Sequence, residues 1–226
     1  MSTNEQQQTA RISDGNMSTG EGMRLFPDVE ACIDCGGCVV ACKRTWDVGP
    51  DRERIDIVNM LEGQEADEGY NGRQSAALAD GANPGETNVP MQCFHCENAP
   101  CVSVCPTDAL QKSDDGFVDL KESLCVGCQY CLSACPFGAP QFPNEDEGSA
   151  EIVGTGGTME KCTGCKERQM ADQGPACVDE CATNALLVGT AGEIADELEK
   201  RDSQPFFNDE AMEIIFGKED AQLFES

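Results

Sequence analysis

Sixteen cysteines in 226 residues fall into four groups of four, with none left over. Group one is Cys32, Cys35, Cys38 and Cys42; group two is Cys93, Cys96, Cys101 and Cys105. Group three is Cys125, Cys128, Cys131 and Cys135; group four is Cys162, Cys165, Cys177 and Cys181. Group three, followed by Pro136, reads C-x2-C-x2-C-x3-C-P, the spacing that holds a [4Fe–4S] cube. Group two is the same run with two residues added in its middle gap, and it too ends in Cys-Pro. Group one keeps the spacing but is followed by Lys43. Group four stretches its middle gap to the eleven residues that contain Lys166, Arg168 and Gly174-Pro175, and is followed by Ala182.

The spacing has a physical cause. Three irons of one cube must be reached from one short loop, so three thiolates lie close in sequence. Two-residue gaps let the backbone curl and aim N–H groups at the sulfurs, which together with solvent exposure sets the reduction potential. The three-residue gap before the fourth cysteine is about one helical turn, enough to send that thiolate to a neighbouring cube. Pro106 and Pro136 restrict the residue before them and drive the chain onward. The expected cofactors are therefore four [4Fe–4S] clusters, with all sixteen cysteines as ligands.

Composition narrows the alternatives. A disulfide scaffold belongs to a short secreted chain, and Met1–Gly22 is polar, without an apolar h-region or an Arg-Arg pair. Structural zinc pairs C-x2-C knuckles four ligands at a time and has no use for repeated C-x3-C endings. The single histidine, His95, excludes a histidine triad or a multi-histidine metal site. It tunes its cluster, sits at an interface or is a merely solvated residue in a tight loop, the last being the default. No C-x2-C is followed by His, so covalent c-type haem is absent. Formal net charge is -27, which makes nucleic acid an unfavourable partner. The acidity spreads along the whole chain and suits a halophilic protein, kept soluble in concentrated salt. Discounting the cysteines leaves about a third of the chain apolar, with few aromatics, so a large oily core is not expected. Cluster binding must supply part of the folding free energy.

The elements that position these groups follow from pattern. Residues 1–24 are expected to be disordered. Leu25–Val29 reads as a strand feeding group one, and Val39–Ala41 opens a helix carrying Cys42. Arg54–Met60 alternates as a strand. Residues 61–90 read as an acidic, Gly-rich insertion with one helical turn at Ser75–Leu78, and 143–158 as a second insertion. Thr107–Leu110 leaves group two as a strand; Asp114-Asp115-Gly116 turns, and Phe117–Leu120 returns. Ala182–Leu186 repeats the Pro106–Leu110 segment. Glu193–Arg201 and Asp209–Phe216 read as amphipathic helices within a tail, 191–226. Gly154-Thr155-Gly156-Gly157 is rejected as a nucleotide loop, because Met159 stands where the last glycine is needed. No apolar run reaches the length of a membrane span.

Groups two and three are adjacent and both end in Cys-Pro, which makes them one unit (91–142). Groups one and four, both lacking the proline, then pair across it (25–60 with 159–190). On that pairing Cys181 completes the set of Cys32, Cys35 and Cys38, and Cys42 that of Cys162, Cys165 and Cys177. Cys105 and Cys135 exchange likewise. Two units in tandem are also compatible with the spacing.

At this point the chain resembles a known family, the four-cluster iron–sulfur subunits of molybdenum or tungsten bis-pterin oxidoreductases. Their beta subunits serve formate dehydrogenase, dimethyl sulfoxide reductase, polysulfide reductase and respiratory nitrate reductase. Cys93–Cys105, with His95 and Asn98-Ala99-Pro100, is similar to the family's second motif; Lys161–Cys165 through Pro175-Ala176-Cys177 is similar to its fourth. The likeness spans about Phe26 to Val188. The family nests motifs two and three within one and four. Nitrate-reductase-type subunits put tryptophan at one cysteine of motif three; here Cys128 and Cys131 are both present, so a three-iron cluster is not expected. The chain departs in Cys181-Ala182, where Cys-Pro is common, and in lacking the C-terminal membrane helix of membrane-type formate dehydrogenase subunits.

The resulting expectation is an α+β fold of two ferredoxin-like dicluster modules, the second nested in the first. Such a subunit is not itself catalytic. It passes single electrons between a Mo/W-bis-pterin catalytic subunit and a membrane quinone subunit or soluble acceptor. Formate dehydrogenase is placed ahead of dimethyl sulfoxide, polysulfide or other respiratory reductases as the partner. A free-standing polyferredoxin and a structural zinc protein are the other classes. The expected location is cytoplasmic or peripheral at the cytoplasmic membrane, or exported with a signal-bearing partner.

Overall fold

The computed structural model describes residues 22–49, 52–60, 87–142, 157–171 and 173–224. Residues 1–21 of the segment expected to be disordered, the helical turn at Ser75–Leu78 and most of both acidic insertions lie outside these residues. The end of that segment, expected to be disordered through residue 24, is instead ordered, with Arg24 buried in a strand.

Three two-stranded antiparallel sheets and eight short helices make up the described chain. Strand β1 (Arg24–Pro27) pairs with β6 (Leu186–Gly189), setting Phe26 opposite Leu187. Strands β2 (Ile55–Met60) and β3 (Thr87–Gln92) pair with Val58 opposite Val89. Strands β4 (Leu110–Lys112) and β5 (Val118–Leu120) form the hairpin expected around Gly116, whose φ of 86° needs glycine. The helices are α1 (Gly37–Trp46), α2 (Pro100–Ser103), α3 (Tyr130–Ala134), α4 (Lys166–Met170), α5 (Ala176–Asp179), α6 (Ala191–Arg201), α7 (Asp209–Phe216) and α8 (Lys218–Ala221). No helix among the described residues is long and apolar enough to cross a membrane.

Several boundaries differ from the sequence expectation. The insertion written as 61–90 ends earlier, because Thr87–Pro90 already belong to β3, where Val89 and Met91 are buried. The exit from group two is not a strand at Thr107. The chain first turns through Asp108 at φ 52°, and the strand begins at Leu110. The repeat does the same, with Asn184 at φ 55° ahead of β6. Asx residues tolerate this left-handed conformation, which re-aims the chain after the fourth cysteine.

The apolar core is larger and more aromatic than composition suggests. Seven of the nine phenylalanines interlock: Phe26 contacts Phe94, Phe207, Phe216 and Phe224, while Phe94 and Phe207 reach Phe137 and Phe207 reaches Phe206. Averaging over the sequence hides this, since the phenylalanines are few but gathered at one place. The residues after 190 are consequently no loose tail. Helix α6 starts in a capping box, with Thr190 N–H donating to Glu193 at 2.8 Å and Glu193 N–H to Thr190 Oγ1 at 3.4 Å. It buries Ile194 and Leu198 at helical spacing. Arg201 then anchors it, donating to Asn184 O at 2.8 Å and to the buried Asp28 at 3.3 Å. Helix α7, capped by Asn208 onto Ala211 N–H, buries Met212, Ile215 and Phe216. Arg24 ties these parts together from β1. Its guanidinium donates to Ile215 O, Gly116 O and Glu97.

Phe26→Ala is therefore expected to destabilise the fold by about 3–5 kcal/mol, since it opens a cavity at the centre of this cluster. Faster loss of cluster absorbance in denaturant is the measurement.

Candidate metal centres

Each cysteine group is built on the same local device. The second residue after the first cysteine sits in the left-handed region: Asp34 at φ 54°, His95 at 52°, Gly127 at 66° and Gly164 at 66°. A left-handed residue between right-handed ones turns successive backbone N–H groups to one side, a concavity suited to negative charge. The third cysteine of each group then lies on a short helix: Cys38 on α1, Cys101 on α2, Cys131 on α3 and Cys177 on α5. The fourth follows one turn later. In α1 that spacing puts Cys38, Ala41 and Cys42 on one buried face.

Two of the groups end alike. Cys105 lies 3.8 Å from Thr107 Oγ1 and Cys181 lies 3.9 Å from Thr183 Oγ1, so the internal repeat seen in the sequence is also a repeat of structure. Backbone N–H groups reach sulfur at Gly164 to Cys162 (3.3 Å), Met159 to Cys125 (3.4 Å) and Ala185 to Cys181 (3.1 Å). The indole N–H of Trp46 donates to Cys165 Sγ at 3.3 Å. Trp46 carried no signal in the sequence, because nothing in a residue at the end of the helix that carries Cys38 and Cys42 says which thiolate of another group it meets.

The thiols act on one another electrostatically, both within groups and between them. Cys32 feels Cys35 and Cys181, and Cys38 feels Cys181. Cys177 feels Cys162, Cys165 and Cys42. Cys96 feels Cys93, Cys101 and Cys135, and Cys131 feels Cys125, Cys128 and Cys105. The fourth cysteine of each group thus acts on at least one thiol of another group. Burial pushes the Cys38, Cys101 and Cys162 thiols up to about 12, and Cys42, Cys131 and Cys135 up to about 11. At Cys105 burial is outweighed by the N–H groups of Leu110, Thr107 and Ala109, and the thiol falls below its ordinary value.

Buried thiolates gathered near one another do not hold their charge unaided; bound iron would supply the positive charge that deprotonates and keeps them. Among the described residues no three His, Cys, Asp or Glu side chains converge closely enough for a single metal ion. A cube instead takes each thiolate at a separate iron, and a set of four thiols served by N–H donors fits it. When bound, such a cube takes up and releases one electron. The chain's own groups hold the thiolates, donate to sulfur and exclude water.

His95 is not the solvated residue that was the default expectation. It is fully buried, packed edge-on against Phe117 with ring centres 4.9 Å apart. Lys112 donates to the carbonyls of His95 (3.0 Å) and Cys96 (2.7 Å), and buried Lys161 donates to those of Val118 and Cys162. These lysines sit between groups two and four, and the sequence marked only Lys161, as part of a motif.

Gly164 closes that region. A side-chain carbon there would lie 2.2 Å from Phe117 Cε1, at a φ already in the left-handed region. Gly164→Ala is expected to displace the Cys162–Cys165 loop and to cost on the order of 1–3 kcal/mol. Iron analysis should show selective loss of one cluster.

Paired cysteine runs on short helices and small sheets define a ferredoxin-like dicluster protein, mixed in helix and strand. Models of the 4Fe-4S dicluster domain match residues 31–109 and 86–191. The formate dehydrogenase iron-sulfur subunit of Wolinella succinogenes is 35% identical over 79% of this chain and 86% of its own. A component of the anaerobic dimethyl sulfoxide reductase of Haemophilus influenzae is 38% identical over 72% of this chain and 71% of its own. The thiosulfate reductase electron transfer subunit of Salmonella typhi is 36% identical over 75% and 76%. The chain belongs to this family of iron–sulfur subunits of molybdopterin oxidoreductases, and it carries four [4Fe–4S] clusters.

Proposed function

We propose that the chain is the electron wire of a Mo/W-bis-pterin oxidoreductase, passing single electrons along its clusters in a fixed order. The observation that carries this is the series of thiols that neighbour one another between sets. Cys38, Cys42, Cys93, Cys162 and Cys177 share one buried hydrophobic cluster, and Cys96, Cys101, Cys131 and Cys135 lie in another. Cys38 with Cys177, Cys162 with Cys93 and Cys101 with Cys131 also act on one another electrostatically. The row then runs from Cys32/Cys35/Cys38/Cys181 through Cys42/Cys162/Cys165/Cys177 and Cys93/Cys96/Cys101/Cys135 to Cys105/Cys125/Cys128/Cys131. Every cysteine of the two middle sets is buried, whereas each end set has three that are half-buried or exposed. Buried relays with accessible ends are what a wire between two partners needs.

Contacts within the fold support a nested architecture with the same ligand sets. Pairing of β1 with β6 and packing of α1 on α5 join the chain around group one to that around group four, an outer module of 25–60 and 159–190. Contact of α2 with α3 joins groups two and three, an inner module of 91–142. Exposed apolar side chains mark both ends of the row: Ile33 and Val40 around Cys35, and Leu124 and Tyr130 around Cys125 and Cys128. One end faces the catalytic subunit. The other faces a membrane quinone subunit or soluble acceptor. The location proposed is cytoplasmic or peripheral at the cytoplasmic membrane, with export alongside a signal-bearing catalytic partner as the alternative. A formate dehydrogenase partner is favoured over the sulfoxide and thiosulfate reductases by the length of the match.

The test is purification from the native source with its partner, followed by EPR-monitored reduction by formate. Reduction of all four clusters in the complex, and of none in the isolated subunit, is the expected result. Oxidation of pre-reduced clusters by dimethyl sulfoxide or thiosulfate, with no reduction by formate, would move the assignment to the reductases, and a chain that purifies by itself would make it a diffusing polyferredoxin.

A further inference from the structure

His95 Nδ1 accepts a hydrogen bond from Val118 N–H at 3.0 Å. An acceptor at Nδ1 fixes the neutral tautomer with its proton on Nε2. That Nε2 is buried and has no partner among the described residues. Buried donors almost always find an acceptor, so an orphan of this kind points to a group of the working protein.

The surroundings hold the ring still. Its residue sits at φ 52°, two positions after Cys93 and directly before Cys96. Phe117 packs edge-on against it, and Phe117 is itself pinned at the Gly164 backbone. With Nδ1 occupied as an acceptor, the ring has only its Nε2–H left to donate.

We propose that His95 donates its Nε2–H to a sulfur of the cluster on Cys93, Cys96, Cys101 and Cys135, and by that bond raises its reduction potential. The inference rests on the ligand set proposed above. A hydrogen bond to sulfur strengthens as the cluster gains an electron, so it favours the reduced state. His95 is thus a positioning and tuning residue of an interior relay, whose potential governs whether electrons pass or stall.

Because the chain has one histidine, labelling with 15N-histidine reports on this ring alone. Electron spin-echo spectroscopy of the fully loaded, partly reduced protein should show a 15N coupling on one cluster signal, and that signal should be the one altered by Cys96→Ser. His95→Phe should lower that cluster's potential on the order of a tenfold change in its reduction equilibrium, 59 mV for one electron, and leave the other three in place. With the full iron complement of four cubes present, absence of the 15N coupling overturns the hydrogen bond and leaves the ligand set standing. Coupling on a signal indifferent to Cys96→Ser puts the bond on another cluster and overturns the proposal, while the ligand set stands. The labelled wild-type protein decides the matter even if the phenylalanine variant fails to load.

Discussion

Cys42→Ala is expected to damage the cluster on Cys162, Cys165 and Cys177 and to spare the one on Cys93, Cys96 and Cys101. Cys42 is buried on α1, and the thiolate that most affects it is Cys165, from group four. A cube deprived of one thiolate becomes labile at that iron, and a three-iron form with its own EPR signal is the usual remnant. The paired control is Cys105→Ala, which should disturb the cluster on Cys125, Cys128 and Cys131, because Cys131 feels Cys105. The double variant should lose both and nothing else. Iron content and low-temperature EPR read the outcome. If Cys42→Ala and Cys96→Ala damage the same cluster, groups one and two share cubes in tandem and the nested arrangement is wrong. The functional effect should be as large as the structural one. In the proposed row that cluster is the second, so transfer between the partners should fall to background while each end cluster still titrates.

Much of this was legible because cysteine spacing is a direct statement about cluster loops. The groups, the helix carrying Cys42, the hairpin at Gly116 and both C-terminal helices were readable from pattern. So was the repeat at Cys105 and Cys181. What pattern could not supply was long-range placement. The α6–α8 segment reads as a tail, because amphipathic spacing shows only that Ile194, Met212 and Phe216 seek a partner. It does not show that Phe26, at the far end of the chain, is that partner. His95 is a related case. A polar residue in a tight polar loop is ordinarily solvated, and the groups that bury it, Phe117 and Lys161, come from a hairpin and from the start of another cysteine group. Asp34 and His95 also hide the left-handed turn that Gly127 and Gly164 announce, since asparagine-like and histidine residues are admitted there without being required.

Cluster retention is expected to rise with ionic strength, and two opposing effects decide whether it does. Salt weakens attractive pairs, and several here are exposed, such as Arg44–Glu180 and Lys200–Glu197. Exposed pairs contribute roughly 0–1 kcal/mol each, so little is lost with them. The pairs that bind elements together are better shielded: Arg24 to Glu97 from a buried guanidinium, Arg54 to Glu160, and Arg201 to the buried Asp28. Screening touches these less. Against this stands the repulsion of a chain at -27, to which four thiolate-bearing cubes add more negative charge. Moving from 0.1 M to 1 M salt shortens the screening length from about 10 Å to about 3 Å. Distant carboxylates then cease to repel one another while contacts at hydrogen-bond distance persist, so repulsion is the larger loss. The half-life of the brown absorbance at low salt should be shorter on the order of tenfold, corresponding to about 1.4 kcal/mol in the barrier. Potassium chloride must be compared with sucrose, because an excluded osmolyte strengthens burial without screening charge. Protection by the salt and not by the sugar assigns the effect to charge. Equal half-lives at both salt concentrations would remove the argument that this acidic surface is an adaptation to salt.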